Sequence, residues 1–150
     1  MTSASPTVSS TADLDYAGRR APWSNEAEQA VLGAMLLDQD AALKAAEFLD
    51  DTMFYKEAHR ILFRAMVSLT ERNDVIDPVT LREALVRRGD LDGAGGMEYM
   101  ATLIDVVPTA ANVEYHTRIV RDRAVLRRLV EAATEIIQDV YELRGDSGEI

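Results

Sequence analysis

An all-α domain is predicted for this chain of 150 residues, on three observations. Alanine, leucine, arginine and glutamate are abundant while aromatic residues make up only 6%, a composition that favours helix over strand. Apolar residues recur at helical spacing between clusters of Gly, Pro, Asn and Asp. From Ala110 to about Arg144 there is neither Gly nor Pro, which allows a single long helix. A hydrophobic fraction of 47% supplies enough apolar material to close one core.

The opening segment, residues 1–20 (MTSASPTVSSTADLDYAGRR), is small and polar without apolar periodicity, so it buries too little to offset the entropy of ordering and is expected to be a disordered tail. Order should begin at residue 21, and a helical head is expected over 21–108. Ser24 or Asn25 caps a first helix, with Glu28 three residues after Asn25 in the manner of a capping box, and Ala27, Ala30, Val31, Ala34 and Leu37 on its apolar face. Gly33 within that helix costs about 1 kcal/mol relative to Ala, a cost that close approach of another helix would explain. Asp38 or Asp40 caps a second short helix, AALKAAEFL.

A third helix is expected from about Tyr55 to Leu69, with Ile61, Leu62, Ala65, Met66 and Leu69 on one face. Asp77 then caps a fourth that has Pro78 at its first position and stops at Gly89. A fifth, GGMEYMATLIDVV, must end before Pro108. Thr109 can cap the last helix, expected over 109–144, about 35 residues and about 50 Å long at 1.5 Å per residue. Residues 145–150 read as a turn.

That long helix carries a seven-residue apolar repeat. Ile119, Leu126, Ala133 and Val140 form one row, Leu129, Ile136 and Leu143 another, and Val130 and Ile137 widen the stripe. A long helix with one apolar face is unstable alone and needs a partner surface. Ile119, Leu126, Leu129, Val130, Ala133, Ile136, Ile137 and Val140 are therefore the expected subunit-contact residues. A second antiparallel arm would begin just past Ile150, so the chain is expected to be part of a longer protein.

Between these apolar positions lie five arginines, Arg118 to Arg128, in a chain of net charge −10. A nucleic-acid-binding module using Arg118, Arg121, Arg127 and Arg128 is the alternative reading. Against it, the wheel spreads these four over a broad arc, and the pairs Glu114–Arg118, Arg118–Asp122 and Arg127–Glu131 are spaced for local compensation. The overall acidity also opposes a DNA-coating or membrane-surface role. The solvated face of a long helix accounts for the arginines better.

No catalytic centre is legible. The run GDLDGAGG lacks the GxxxxGK and following Ser/Thr of a phosphate loop, because neither Lys44 nor Lys56 follows a glycine. His59 and His116 are the only histidines and form no metal-ligand pair; His59 with Asp50, Asp51 and Glu57 could assemble an acid/base site, but the aspartates read as turn and cap residues. There is no Cys and no GxSxG elbow. Catalytic, cofactor and metal residues are thus all expected to be absent from this chain. The lack of Cys, of a signal peptide and of any apolar run near the roughly 18 residues that span a bilayer makes a cytoplasmic protein the expectation.

The segments PWSNEAEQAVLGAMLLD, AHRILFRAM, VIDPVTLREAL and GGMEYMATLIDVVPTAANVEYHTRIVRDRAVLRRL, in this order and spacing, resemble the N-terminal domain of bacterial replicative DNA helicases of the DnaB type, over about residues 21–145. The resemblance implies a helical head followed by a helical hairpin, with hairpins pairing between subunits so that a dimer, a trimer of dimers and finally a hexameric collar forms. It implies recruitment of primase and of the helicase loader, at the replication fork and so in the cytoplasm, in contact with the nucleoid. ATP and Mg belong to the family's motor domain, which also handles single-stranded DNA. By itself this chain is then expected neither to hydrolyse ATP nor to unwind DNA.

Overall fold

The computed structural model describes residues 20–107 and 109–147. The proposed disordered tail therefore lies, but for Arg20, outside the described residues, as do residues 148–150 of the proposed terminal turn. Six α-helices account for the described elements: α1 (Asn25–Leu37), α2 (Gln39–Phe48), α3 (Glu57–Glu71), α4 (Pro78–Arg88), α5 (Gly96–Val106) and α6 (Val113–Ser147), with a 3-10 turn at Asp51–Met53. The element order contains no strand among these residues. The chain divides into two compact units, Trp23–Ala124 and a second whose described part is residues 20–22 and 125–147.

In the first unit the caps set the helix boundaries. Ser24, not Asn25, caps α1, its hydroxyl accepting from the Ala27 N–H. Asp38 caps α2, accepting from the Asp40 N–H. Asp77 and Thr80 form a reciprocal capping box at α4, where Pro78 takes the first turn, and Gly89 ends the helix in the left-handed region at φ 72°. The fourth helix is thus bounded by the residues that the sequence singled out.

Helix α1 lies at the centre. It meets α2, α3 and α5 and is buried on almost every side, Leu32, Met35 and Leu36 included, whereas Leu37 at its end is exposed. An amphipathic stripe predicted too narrow a buried face, because a helix enclosed by three others has little wet surface to preserve. Around it Ala42, Ala45, Leu62, Met66, Leu81, Leu85, Met100, Leu103 and Val120 complete one core.

The α1–α5 crossing depends on Gly33. A Cβ there would sit 2.6 Å from the Leu103 carbonyl oxygen and 2.7 Å from Val107 Cγ2. Gly33→Ala is therefore expected to destabilise by up to about 2 kcal/mol, overpacking of about 1–3 kcal/mol against a helix-propensity gain of about 1 kcal/mol. Gly145, within α6, has nothing within 4 Å of its would-be Cβ. There the same substitution should stabilise by up to about 1 kcal/mol. Urea unfolding of the two variants checks the opposite signs.

Two boundaries differ from the sequence reading. Helix α6 begins at Val113, because Thr109 accepts from the Ala111 N–H within a separate turn that precedes it. At the other end α6 continues through Gly145 to Ser147, so the turn expected from residue 145 is helical as far as 147. A single exposed Gly near a helix end costs too little to stop it.

Candidate interaction surface and buried polar cluster

All eight residues proposed for subunit contact lie on helix α6. In its stretch 125–147, Leu126 is 45% exposed, Leu129 61%, Ile136 63% and Val140 51%. Ala133 is exposed as well, and Val130 and Ile137 are half-buried. Val125, Tyr141 and Leu143 add to the exposed apolar surface. Monomeric proteins seldom leave a contiguous run of large apolar side chains in water, so this face is a candidate for covering by protein. Ile119 behaves differently: it is half-buried and packs against the core of the first unit. Its side chain serves the fold, and the exposed row starts one heptad later.

The arginines also separate. Arg118, Arg121 and Arg128 are exposed, as the alternative reading requires. Arg127 is not: it is buried at 9% exposure, and its Nη1 donates to the Pro22 carbonyl at 2.8 Å. A helical wheel places Cβ only, and the long stem carried this guanidinium inward. Arg127 is thereby removed from the nucleic-acid set. Glu114 forms its ion pair with Lys44 at 3.7 Å rather than with Arg118.

The second constellation lies inside the first unit. Glu28 on α1 is 1% exposed and His59 on α3 is fully buried. Glu28 Oε1 lies 2.7 Å from His59 Nδ1, and His59 Nε2 lies 2.6 Å from the Tyr99 hydroxyl on α5. The same carboxylate accepts the backbone N–H of Tyr55 at 2.7 Å and, less closely, that of Lys56 at 3.4 Å. Gln29 Nε2 donates to the Tyr99 oxygen at 3.0 Å, and every contact is satisfied when the phenol donates to His59 Nε2 and His59 Nδ1–H donates to Glu28. Every polar group in the chain of contacts then has a partner, consistent with the absence of unsatisfied buried side-chain atoms among the described residues.

This carboxylate–imidazole–hydroxyl order has the connectivity of a nucleophilic triad, but not its accessibility. A general base must reach a substrate proton, and His59 has no exposed surface and both ring nitrogens engaged. The cluster ties α1, α3 and α5 together instead. It also explains why α3 starts at Glu57 and not at Tyr55: the Tyr55 and Lys56 N–H groups turn towards Glu28, which supplies the acceptor that the cap residue Lys56 lacks. A carboxylate at that end also faces the positive end of the helix dipole.

Contrary to the sequence reading, Glu28 forms no capping box with Asn25, and the acids near His59 in sequence are not its partners. Asp50 caps the 3-10 turn, Asp51 pairs with Arg64 at 2.8 Å, and Glu57 lies 3.8 Å from Arg60. Among the described residues no group of His and acidic side chains is arranged to hold a metal ion. No helix there is long and apolar enough to cross a membrane.

The model of the DnaB-like helicase N-terminal domain matches residues 20–122. The chain belongs to that family. A replicative DNA helicase DnaB from Geobacillus stearothermophilus is 47% identical over 126 residues, covering 84% of this chain but 28% of that protein. The chain thus spans little more than a quarter of that relative's length. The crystal structure of the DnaB helicase N-terminal domain from Mycobacterium tuberculosis superimposes with a TM-score of 0.79 at 45% identity, covering 81% of this chain and 88% of that one. The N-terminal domain of Helicobacter pylori DnaB, a structure described with its interactions with primase, shares the fold at TM-score 0.65 and 18% identity, over 77% of this chain and 90% of that one. The DnaB family match ends at residue 122, ahead of the exposed row on α6.

Proposed function

We propose that this DnaB-family N-terminal domain is the oligomerisation and partner-recruitment part of a hexameric, ATP-dependent replicative helicase. The exposed row Leu126, Leu129, Ile136 and Val140 carries the reading. Covering it with the same face of a second copy buries both rows at once, and pairs so formed are the building blocks of a trimer of dimers and a hexameric collar. Primase and the helicase loader are the partners of that collar. The interactions with primase described for the H. pylori domain, which has the same fold, support the first of these.

In this reading ATP, Mg and single-stranded DNA are handled by a motor domain outside these residues, and the protein works in the cytoplasm at the replication fork. The domain itself does no chemistry, which accords with a His59 closed on both sides. Light scattering after size exclusion tests the apolar row, with a mass of at least two chains as the expected result.

Arg118, Arg121 and Arg128 remain exposed and define the alternative, a nucleic-acid-binding face. If the oligomerisation reading is right, oligothymidylate binding should be weak at physiological salt and should not depend on these side chains. Changing all three to Ala, with anisotropy measured across a salt series, checks this. A strong affinity that falls steeply with salt and disappears in the triple variant would favour the alternative.

A further inference from the structure

A concavity of about 160 Å³ opens between the end of α2 and the early turns of α6, lined by Phe48, Glu114, Thr117, Arg118 and Arg121. All five residues belong to the first unit. Phe48 is 42% exposed. The Thr117 hydroxyl is already committed to the Glu114 carbonyl at 2.8 Å, and the Glu114 carboxylate is matched by Lys44. Arg60, Arg64, Arg72 and Arg127 each hold an acceptor. Arg118 and Arg121, like Arg82, Arg87, Arg88, Arg123 and Arg128, hold none among the described residues, and these two edge the same concavity.

We propose that this concavity is a docking site for an acidic segment of a partner protein: an Asp or Glu side chain is clamped by Arg118 and Arg121 while an adjacent apolar side chain lies on Phe48. The guanidinium fork matches a carboxylate in geometry and charge. Size favours one or two side chains, because pockets for drug-sized small molecules usually span about 300–1,000 Å³. Charge distinguishes a peptide from a polynucleotide. One carboxylate is attracted within the screening length of about 8–10 Å, whereas a chain of phosphates must continue across the surface of a protein with net charge −10. The site does not depend on the apolar row of α6, which lies in the other unit.

The test uses the full chain and a fluorescein-labelled octapeptide carrying one Glu beside one Leu among Gly and Ser residues, followed by anisotropy. Saturable binding is expected, weakened about tenfold or more in Arg118→Gln/Arg121→Gln and in Phe48→Ser. It should be unchanged in Leu129→Asp and absent for the peptide with Lys in place of Glu. The arginine variant removes only exposed groups without a partner among the described residues, so its circular dichroism should match the parent even if Phe48→Ser folds poorly. The proposal is overturned if the acidic peptide shows no saturable binding, or if it binds the arginine variant equally well. It is also overturned if oligothymidylate displaces the peptide and needs the same two arginines, which would make the site one for nucleic acid.

Discussion

Glu28→Leu is expected to lower the stability of the domain by about 3–5 kcal/mol, the largest effect of any single substitution considered. The carboxylate is the acceptor for the Tyr55 N–H, the Lys56 N–H and His59 Nδ1, and each buried donor left without a partner costs about 1–3 kcal/mol. The Lys56 contact is long and counts least. For a unit of about a hundred residues this corresponds to a fall in Tm on the order of 15 °C or more. His59→Leu should cost less, about 2 kcal/mol, because Glu28 keeps its two backbone donors and Tyr99 keeps Gln29. Glu28→Gln should be milder than Glu28→Leu, since its amide oxygen can still accept from the Tyr55 N–H while its amide nitrogen donates to His59 Nδ1 in the other imidazole tautomer. Urea unfolding followed by circular dichroism gives this order. A Glu28→Leu cost below 1 kcal/mol would mean that the cluster does not hold α1, α3 and α5 together.

Leu129→Asp is expected to act on assembly and spare the fold. Leu129 is 61% exposed in the isolated chain, so the substitution should change unfolding by no more than about 0.5 kcal/mol. Buried against a second copy, the same carboxylate would lose several kcal/mol of hydration, and each 1.4 kcal/mol raises the dissociation constant about tenfold. A weakening of a hundredfold or more is therefore predicted, and Leu126→Asp should behave alike. Ile119→Asp provides the contrast. Its side chain packs against the core, so it should reduce stability as well. Equal self-association of Leu129→Asp and the parent would remove this residue from the contact.

The helices were legible because their signals are local. Ser24, Asp38, Asp77 with Pro78, and Gly89 each act within four residues of the boundary that they set. The seven-residue repeat of α6 was legible for the same reason. What the sequence concealed is long-range: Glu28 and His59 are 31 residues apart, His59 and Tyr99 40, and Arg127 and Pro22 105. No periodicity reports such pairings. Local pattern even misdirected two of them, since Asn25 and Glu28 have capping-box spacing and Arg127 falls on the polar arc of the wheel. In both cases the side chain found its partner on another part of the chain. The resemblance to DnaB-type N-terminal domains rested on four ordered segments, and the family match over 20–122 covers most of them.

The claim that the α6 row is covered by a second copy is tested most directly by the mass of the protein in solution. Light scattering after size exclusion, at tens of micromolar, should give at least twice the 16.6 kDa of one chain, with Leu129→Asp shifting the mass towards one chain. A mass of 16.6 kDa at every concentration, for parent and variant alike, would contradict it.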